Sequence, residues 1–312
     1  MKPRIAALLW SSGLSLFLAA GCGTPQADSP NDAASAEDGF AADALDAASD
    51  VTTATVNVHL QPGFLNIAHR GGGKLAPEET RVAYQNAIQV GADVIECDAH
   101  STSDGIVVCI HDETVDRTTD GKGSISGMTF AQLRALDAGY AYSPDGGVTF
   151  PYRGKALQVA SLDEFLQIDP VIGLSIEIKQ ADPPIEMQVV QAIVASGALD
   201  RTVLISFNDD TMAKVRALEP RLTTGLALGE MLAFSTMEDV DEAQYVPPAR
   251  VIQAPTNQMA PKLLVARAHR LGMKVQFWTI NDAKQMSELV ALGADGIFTD
   301  DPAKLHDVVS PH

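Results

Sequence analysis

The chain has 312 residues, 46% of them hydrophobic and only 5% aromatic, which is enough for one large or two small domains. Its formal charge is −18 at pH 7. So acidic a surface argues against nucleic acid or anionic lipid as a partner, because a row of phosphates calls for clustered Lys and Arg.

At the N-terminus, Lys2 and Arg4 precede an apolar run over residues 5–20, and small residues lead to Cys22. The run is short and broken by Ser11, Ser12 and Gly13, so it predicts an export signal over 1–21 rather than a transmembrane anchor. Leu18-Ala-Ala-Gly-Cys22 resembles a bacterial lipobox, with Ala19 where Leu is usual. The resemblance implies a lipid on Cys22, a membrane-anchored lipoprotein, and outer-membrane sorting if the cell has an outer membrane, since Gly23 rather than Asp follows. Plain secretion is the alternative. Residues 23–51 hold seven acids and no Lys or Arg, set among Ala, Ser and Pro. Such a segment cannot bury enough surface to offset its ordering entropy, and 22–55 reads as a disordered tether. One domain, 56–312, remains, with 20 basic and 33 acidic residues once the leader's two cations and the tether's seven acids are set aside. An anionic substrate would need local positive charge there, most simply a metal ion.

The domain opens on a short apolar run, 64–68, that delivers His69 and Arg70 into three glycines. Pro77, Glu78, Glu79 and Thr80 then start a segment with apolar residues at Val82, Ala83, Ala87, Ile88 and Val90. This predicts strand, phosphate-sized loop and helix. Glycines let backbone approach a ligand, Arg70 offers a planar fork to an oxyanion, and His69 can move a proton near neutral pH. A plain βα turn with an incidental histidine is the competing reading.

Next, Val94-Ile-Glu-Cys-Asp98 runs on to Ser103, turns at Asp104-Gly105 and returns over 106–112. The link is far too short for a parallel crossover, and Asp-Gly between apolar runs is a hairpin signal. Glu96 and Asp98 share a face, and folding about Asp104-Gly105 sets His111 roughly opposite Asp98. On that register Cys109 shares the face of His111 and Cys97 looks away, which disfavours a disulfide. A half-exposed strand would alternate in the same way, but carboxylates inside a Val/Ile-rich strand need a partner. Further on, residues 174–179 place Ser175, Glu177 and Lys179 on one face. An ion pair would explain Glu177 and Lys179 alone. Beside Glu96 and Asp98, Glu177 reads as a third oxygen ligand for Ca²⁺ or Mg²⁺, with Lys179 facing the substrate anion.

Short β-branched runs at 66–69, 94–98, 174–179, 203–207, 223–228, 251–254, 274–280 and 296–300 alternate with helix-like spacing at 185–196, 209–218, 262–271 and 282–292. Eight strands separated by helices predict a parallel (β/α)8 barrel of the TIM type, with the β-hairpin as an excursion after the second strand. The link 228–251 is the weakest helix, and a doubly wound sheet is the alternative architecture.

With those residues in order, the chain resembles the glycerophosphodiester phosphodiesterase family. The resemblance rests on His69-Arg70-Gly71 with Pro77-Glu-Glu-Thr80, Gly91-Ala-Asp-Val-Ile-Glu96-Cys-Asp98, Thr102-x-Asp-Gly105, His111-Asp112 and Arg117-Thr-Thr-x-Gly-x-Gly123. Ser161-Leu162-x-Glu164, Glu177-Ile-Lys179, Ser206-Phe207, Trp278-Thr279 and Gly293-Ala-Asp-Gly-Ile-x-Thr-Asp300 continue it across nearly the whole domain. It implies a TIM barrel with a small insertion at about 117–158, and hydrolysis of deacylated phospholipids to glycerol 3-phosphate and an alcohol with one divalent cation. By position, His69 and His111 are the acid/base pair, Glu96, Asp98 and Glu177 hold the metal, and Arg70 and Lys179 contact phosphate. Trp278 lines the glycerol or head-group pocket or is a core residue. Glu79 departs from the family's usual Asn and adds a charge beside the loop. Arg117 is expected to order the loop after the hairpin, and His59, His269, His306 and His312 to be surface or capping groups. Competing functions are a lysophospholipase D or sphingomyelinase D-like enzyme, which would need an apolar lip for acyl chains, and a non-catalytic surface lipoprotein.

Overall fold

The computed structural model describes residues 56–310. The predicted leader 1–21, Cys22, the tether up to residue 55 and His312 lie outside the described residues. The first element described is a 3-10 turn, Val58–Leu60. Eight parallel strands follow: β1 (Leu65–Ala68), β2 (Val94–Ser101), β4 (Gly173–Ile178), β5 (Thr202–Ile205), β6 (Thr223–Thr224), β7 (Val251–Ala254), β8 (Lys274–Phe277) and β9 (Gly296–Thr299). They pair in the order β6-β5-β4-β2-β1-β9-β8-β7. A parallel bridge between Gly225 and Val251 joins the two ends into a barrel. The ninth strand, β3 (Val107–Cys109), pairs antiparallel with the far end of β2.

Side-chain parity explains why this sequence closes in this way. On β2, Ile95, Cys97 and Ala99 face outward, where they join Leu174, Ile176, Ile178 and Leu204 under α1 (Arg81–Gln89), α4 (Glu186–Ala195) and α5 (Asp209–Leu218). The other half of the ring packs Ile252, Val275 and Ile297 under α6 (Leu228–Thr236), α7 (Pro261–Arg270), α8 (Ala283–Ala291) and α9 (Pro302–Val309). The alternate residues turn into the barrel, with Leu65, Ile67, Val94 and Phe298 forming a small apolar plug. Thr80, Asn208, Asp282 and Asp301 each start a helix by capping it with a side-chain oxygen. The weak link 228–251 does carry a helix, α6, whose start is held by Glu230 accepting from the Ala227 amide at 2.8 Å.

After β3 come two short helices, α3 (Leu162–Leu166), which packs in the barrel's outer core, and before it α2 (Phe130–Arg134), which lies in the expected insertion. That region has its own apolar centre of Val108, Ile110, Val115, Ile125, Leu133 and Val159.

Two expectations are corrected. The β2–β3 register pairs Ala99 with Cys109, which puts Ile110 rather than His111 opposite Asp98. The connection is centred on Asp104, because Thr102 closes it by taking the Ile106 amide on its hydroxyl and giving its own amide to the Ile106 carbonyl. That one-residue slip reverses the cysteine parity, as a period of two demands. Cys97 and Cys109 are both buried, both free, and in thiol-to-thiol contact on the outer face. The second correction concerns His59, which is only 1% exposed and sits at the lower end of the barrel. Its ring bridges the Leu174 carbonyl at 3.0 Å and the Gln276 side chain at 3.1 Å.

Candidate active site

The carboxyl ends of the strands surround a cleft of about 260 Å³ lined by His69, Arg70, Glu96, His111, Glu177, Lys179 and Trp278, among others. Seven of the eight side chains singled out from the barrel sequence line it. Asp98, the eighth, is 1% exposed and lies beneath, 3.2 Å from Lys179 and 3.4 Å from Arg70. The parallel register makes Asp98 and Glu177 direct neighbours and sets Glu96 beside Ser175, so the alternation on β2 and β4 brings all three carboxylates to one face.

The turn after β1 aims the cations. Arg70, Gly71 and Gly72 take left-handed backbone at φ 53, 79 and 85. A Cβ on Gly71 would meet Ala83 and Tyr84 at 2.9 Å, and one on Gly72 would meet Pro302 at 2.9 Å. These glycines serve the turn's packing against α1 and α9. The turned backbone gives the Arg70 amide to Glu96 at 2.7 Å and its guanidinium to Glu78 at 3.1 Å.

Both histidines are oriented by carboxylates that carried no assigned role. His69 Nδ1 meets Asp300 at 2.7 Å, and Asp300 also accepts from Asn281 at 2.7 Å. His111 Nδ1 meets Asp112 at 2.7 Å. Asp112 is legible as the next residue, and Asp300 as a carboxylate ending a barrel strand. Their environments push the two rings apart. Burial alone would lower His69, but the Asp300 hydrogen bond and the charge of Glu96 carry it above 6.5. At His111, burial outweighs the bond from Asp112 and the ring falls below 6.5.

Burial, and then the charge of Asp98, raise Glu96 to about 8 and Glu177 to about 7. Asp98 stays low despite burial because Lys179 and Arg70 face it. Asp98 Oδ2 and Glu177 Oε1 are buried without a hydrogen-bond partner. Hard carboxylate oxygens left without hydrogen bonds fit the donor set of Ca²⁺ or Mg²⁺. Among the described residues no three such side chains already enclose an ion, since the Lys179 ammonium lies between Asp98 and Glu177, 2.8 Å from the latter.

The far wall is apolar. Phe207, itself 43% exposed, meets Trp278 edge to face at 6.1 Å, and Trp278 packs on the inner plug as well as lining the cleft. Glu79 lies on the opposite side, buried at φ 59, accepting the Asp98 amide at 3.0 Å through one oxygen while the other has no partner.

Paired histidines, cations and carboxylates converging on one barrel mouth suit a reaction in which a phosphoryl group is held as an anion while a proton is taken and another given. The molecule is thus an enzyme acting on phosphate esters. A model of the glycerophosphoryl diester phosphodiesterase family matches residues 69–304. A glycerophosphodiester phosphodiesterase of Caldanaerobacter subterraneus is 33% identical over 249 residues, 78% of this chain and 97% of that protein. One from Bacillus subtilis is 30% identical over 260 residues, 78% of this chain and 86% of its own. The solved structure of an Oleispira antarctica phosphodiesterase in complex with the product sn-glycerol-3-phosphate is 26% identical, with a TM-score of 0.64 over 78% of this chain and 95% of that one. The chain belongs to the glycerophosphoryl diester phosphodiesterase family.

Proposed function

We propose that this enzyme hydrolyses glycerophosphodiesters to sn-glycerol 3-phosphate and an alcohol, with a divalent cation on Glu96, Asp98 and Glu177 and with His69 and His111 as the acid/base pair. The observation that carries the reading is that both histidines line one cleft while each commits Nδ1 to a carboxylate. Nε2 of each ring is then the nitrogen left to exchange a proton with substrate.

A bound Ca²⁺ or Mg²⁺ would stabilise charge on the phosphoryl oxygens and orient the diester. Arg70 and Lys179 add donors toward the same oxygens, where charge grows as the bond breaks. Water or the glycerol's neighbouring hydroxyl needs a base, and the lowered His111 is neutral and ready to accept a proton. The departing alkoxide needs an acid, and the raised His69 holds one. Each role is worth about 10²–10⁴-fold. Trp278 and Phe207 offer an apolar wall to the carbon skeleton of the substrate.

Release of alcohol or phosphomonoester from a panel of glycerophosphodiesters and lysolipids, with and without EDTA, tests the reading. Turnover that survives thorough chelation, or that persists in Glu96→Gln with Asp98→Asn, removes the metal from it. The lysolipid arm decides the alternative of a lysophospholipase D or sphingomyelinase D-like activity. That alternative needs an apolar lip for acyl chains, to which Phe207, 43% exposed in the cleft wall, would contribute. No activity on any diester would leave a ligand-binding lipoprotein.

Lipidation of Cys22 and anchoring at a membrane surface through the acidic tether complete the proposal. Its support is the lipobox-like leader ahead of a segment with no basic residue. Cys22→Ser releases a soluble, active enzyme on this reading; equal membrane retention of that variant would refute it.

A further inference from the structure

The two halves of the site meet in one side chain outside the cleft. His111 follows β3 and Arg70 follows β1, and each leans on a carboxylate, Asp112 and Glu78 respectively. Arg117 holds both of these. Its Nε gives 2.7 Å to Asp112 Oδ2 and Nη2 gives 3.3 Å to Oδ1. The other edge of the guanidinium forks Glu78, with Nη1 at 2.7 Å from Oε2 and Nη2 at 2.7 Å from Oε1. Arg117 is not among the residues lining the cleft, and its side chain is 45% exposed.

We propose that Arg117 is a positioning residue for hydrolysis: by clamping Asp112 and Glu78 with one rigid guanidinium, it fixes His111 and Arg70 in a single mutual geometry. The inference rests on the function proposed above. A role in ordering the loop alone does not account for the arrangement. Exposed ion pairs add little to stability, yet here one arginine satisfies two carboxylates, each of which carries a group that lines the cleft. Only a planar fork can do this. A lysine at 117 would place the same charge but one point contact, leaving either Asp112 or Glu78 free to rotate. Small displacements matter at such a site, since a misplacement of about 1 Å can cost about 10²-fold in rate.

The test uses the full chain with glycerophosphoethanolamine, saturating divalent cation, and sn-glycerol 3-phosphate as product inhibitor. Arg117→Ala lowers kcat by about 10²-fold with an unfolding midpoint near that of the wild type, and Arg117→Lys restores little of the loss. In a His111→Ala background the same Arg117→Ala change costs markedly less in kcat than in the wild type, because only its hold on Arg70 is left to lose. Inhibition by sn-glycerol 3-phosphate weakens several-fold in Arg117→Ala but not when Arg70→Ala is already present. The inference is overturned if the Arg117 and His111 penalties multiply, if lysine restores the rate, or if the loss tracks a fall in stability. A wild type inactive on every diester would instead take down the proposed function, and this inference with it.

Discussion

Two imidazoles of identical chemistry are driven in opposite directions by what touches them. Asp300 and Glu96 raise His69 against its burial, while burial wins at His111. An acid must be protonated and a base neutral at the working pH, so environments that separate two rings support the roles proposed for them. With saturating cation, kcat/KM should rise through an acidic limb set by His111 and fall through an alkaline limb set by His69, which Asp300 holds up. Asp300→Asn removes the charge that raises His69, so the alkaline limb moves to lower pH while the acidic limb stays. A shift of the acidic limb alone would reverse the assignment. Consistently, His69→Ala should cost orders of magnitude on an ethanolamine diester and far less on a p-nitrophenyl diester, whose leaving group needs no proton. Equal losses on both substrates would deny His69 the acid role.

At the scale of elements, the turn between β1 and α1 carries strain that the rest of the site uses. Arg70 is a side-chain-bearing residue in left-handed backbone, a conformation that costs on the order of 1–3 kcal/mol. It is held there by its amide on Glu96 and its guanidinium on Glu78. Glu79 shares the conformation, and burial followed by the charge of Asp98 pushes its carboxyl well above the usual range. Asn accepts left-handed backbone more readily, has no charge to desolvate, and keeps an oxygen for the Asp98 amide. Glu79→Asn should therefore stabilise the fold by on the order of 1 kcal/mol, read from denaturant unfolding in EDTA. A loss of stability would mean that the acid at 79 has a partner beyond that amide.

Across the whole molecule, the barrel is filled by more than its apolar plug. His59 bonds Gln276, which with Ser175 takes the amide of Gln253, forming a polar thread from the lower end toward the cleft. Burial holds His59 near 4 against an ordinary 6.5, with the Leu174 carbonyl only partly opposing. Because the folded pKa is depressed, the unfolded chain takes up the proton first. Stability is full above 6.5 and is lost as the pH falls toward about 4, by on the order of 3 kcal/mol. His59→Gln keeps a donor for Leu174 but cannot titrate, so stability between pH 6.5 and 4 should vary less than in the wild type. An unchanged slope would place the acid sensitivity elsewhere.

The fold and most of the site were legible in the residues because their signals are local. A period of two put Glu96 with Asp98 and Glu177 with Lys179, and the alternation of strands and helices required a closed parallel sheet. The weakest helix, 228–236, formed because Glu230 caps its first turn and Met231 and Phe234 bury against the barrel. What the sequence left open were matters that depend on groups distant in the chain. The hairpin register turned on whether the connection centred on Asp104 or between Asp104 and Gly105, and a single hydroxyl, that of Thr102, settled it. His59 looked solitary because its partners are 115 and 217 residues away. Asp300 meets His69 across 231 residues, joined only where β9 closes against β1. Residue types and alternation thus determined which side chains face the mouth, and Asp112 stands beside His111 in the chain itself; only ring closure, bringing β9 against β1, decided that Asp300 stands behind His69.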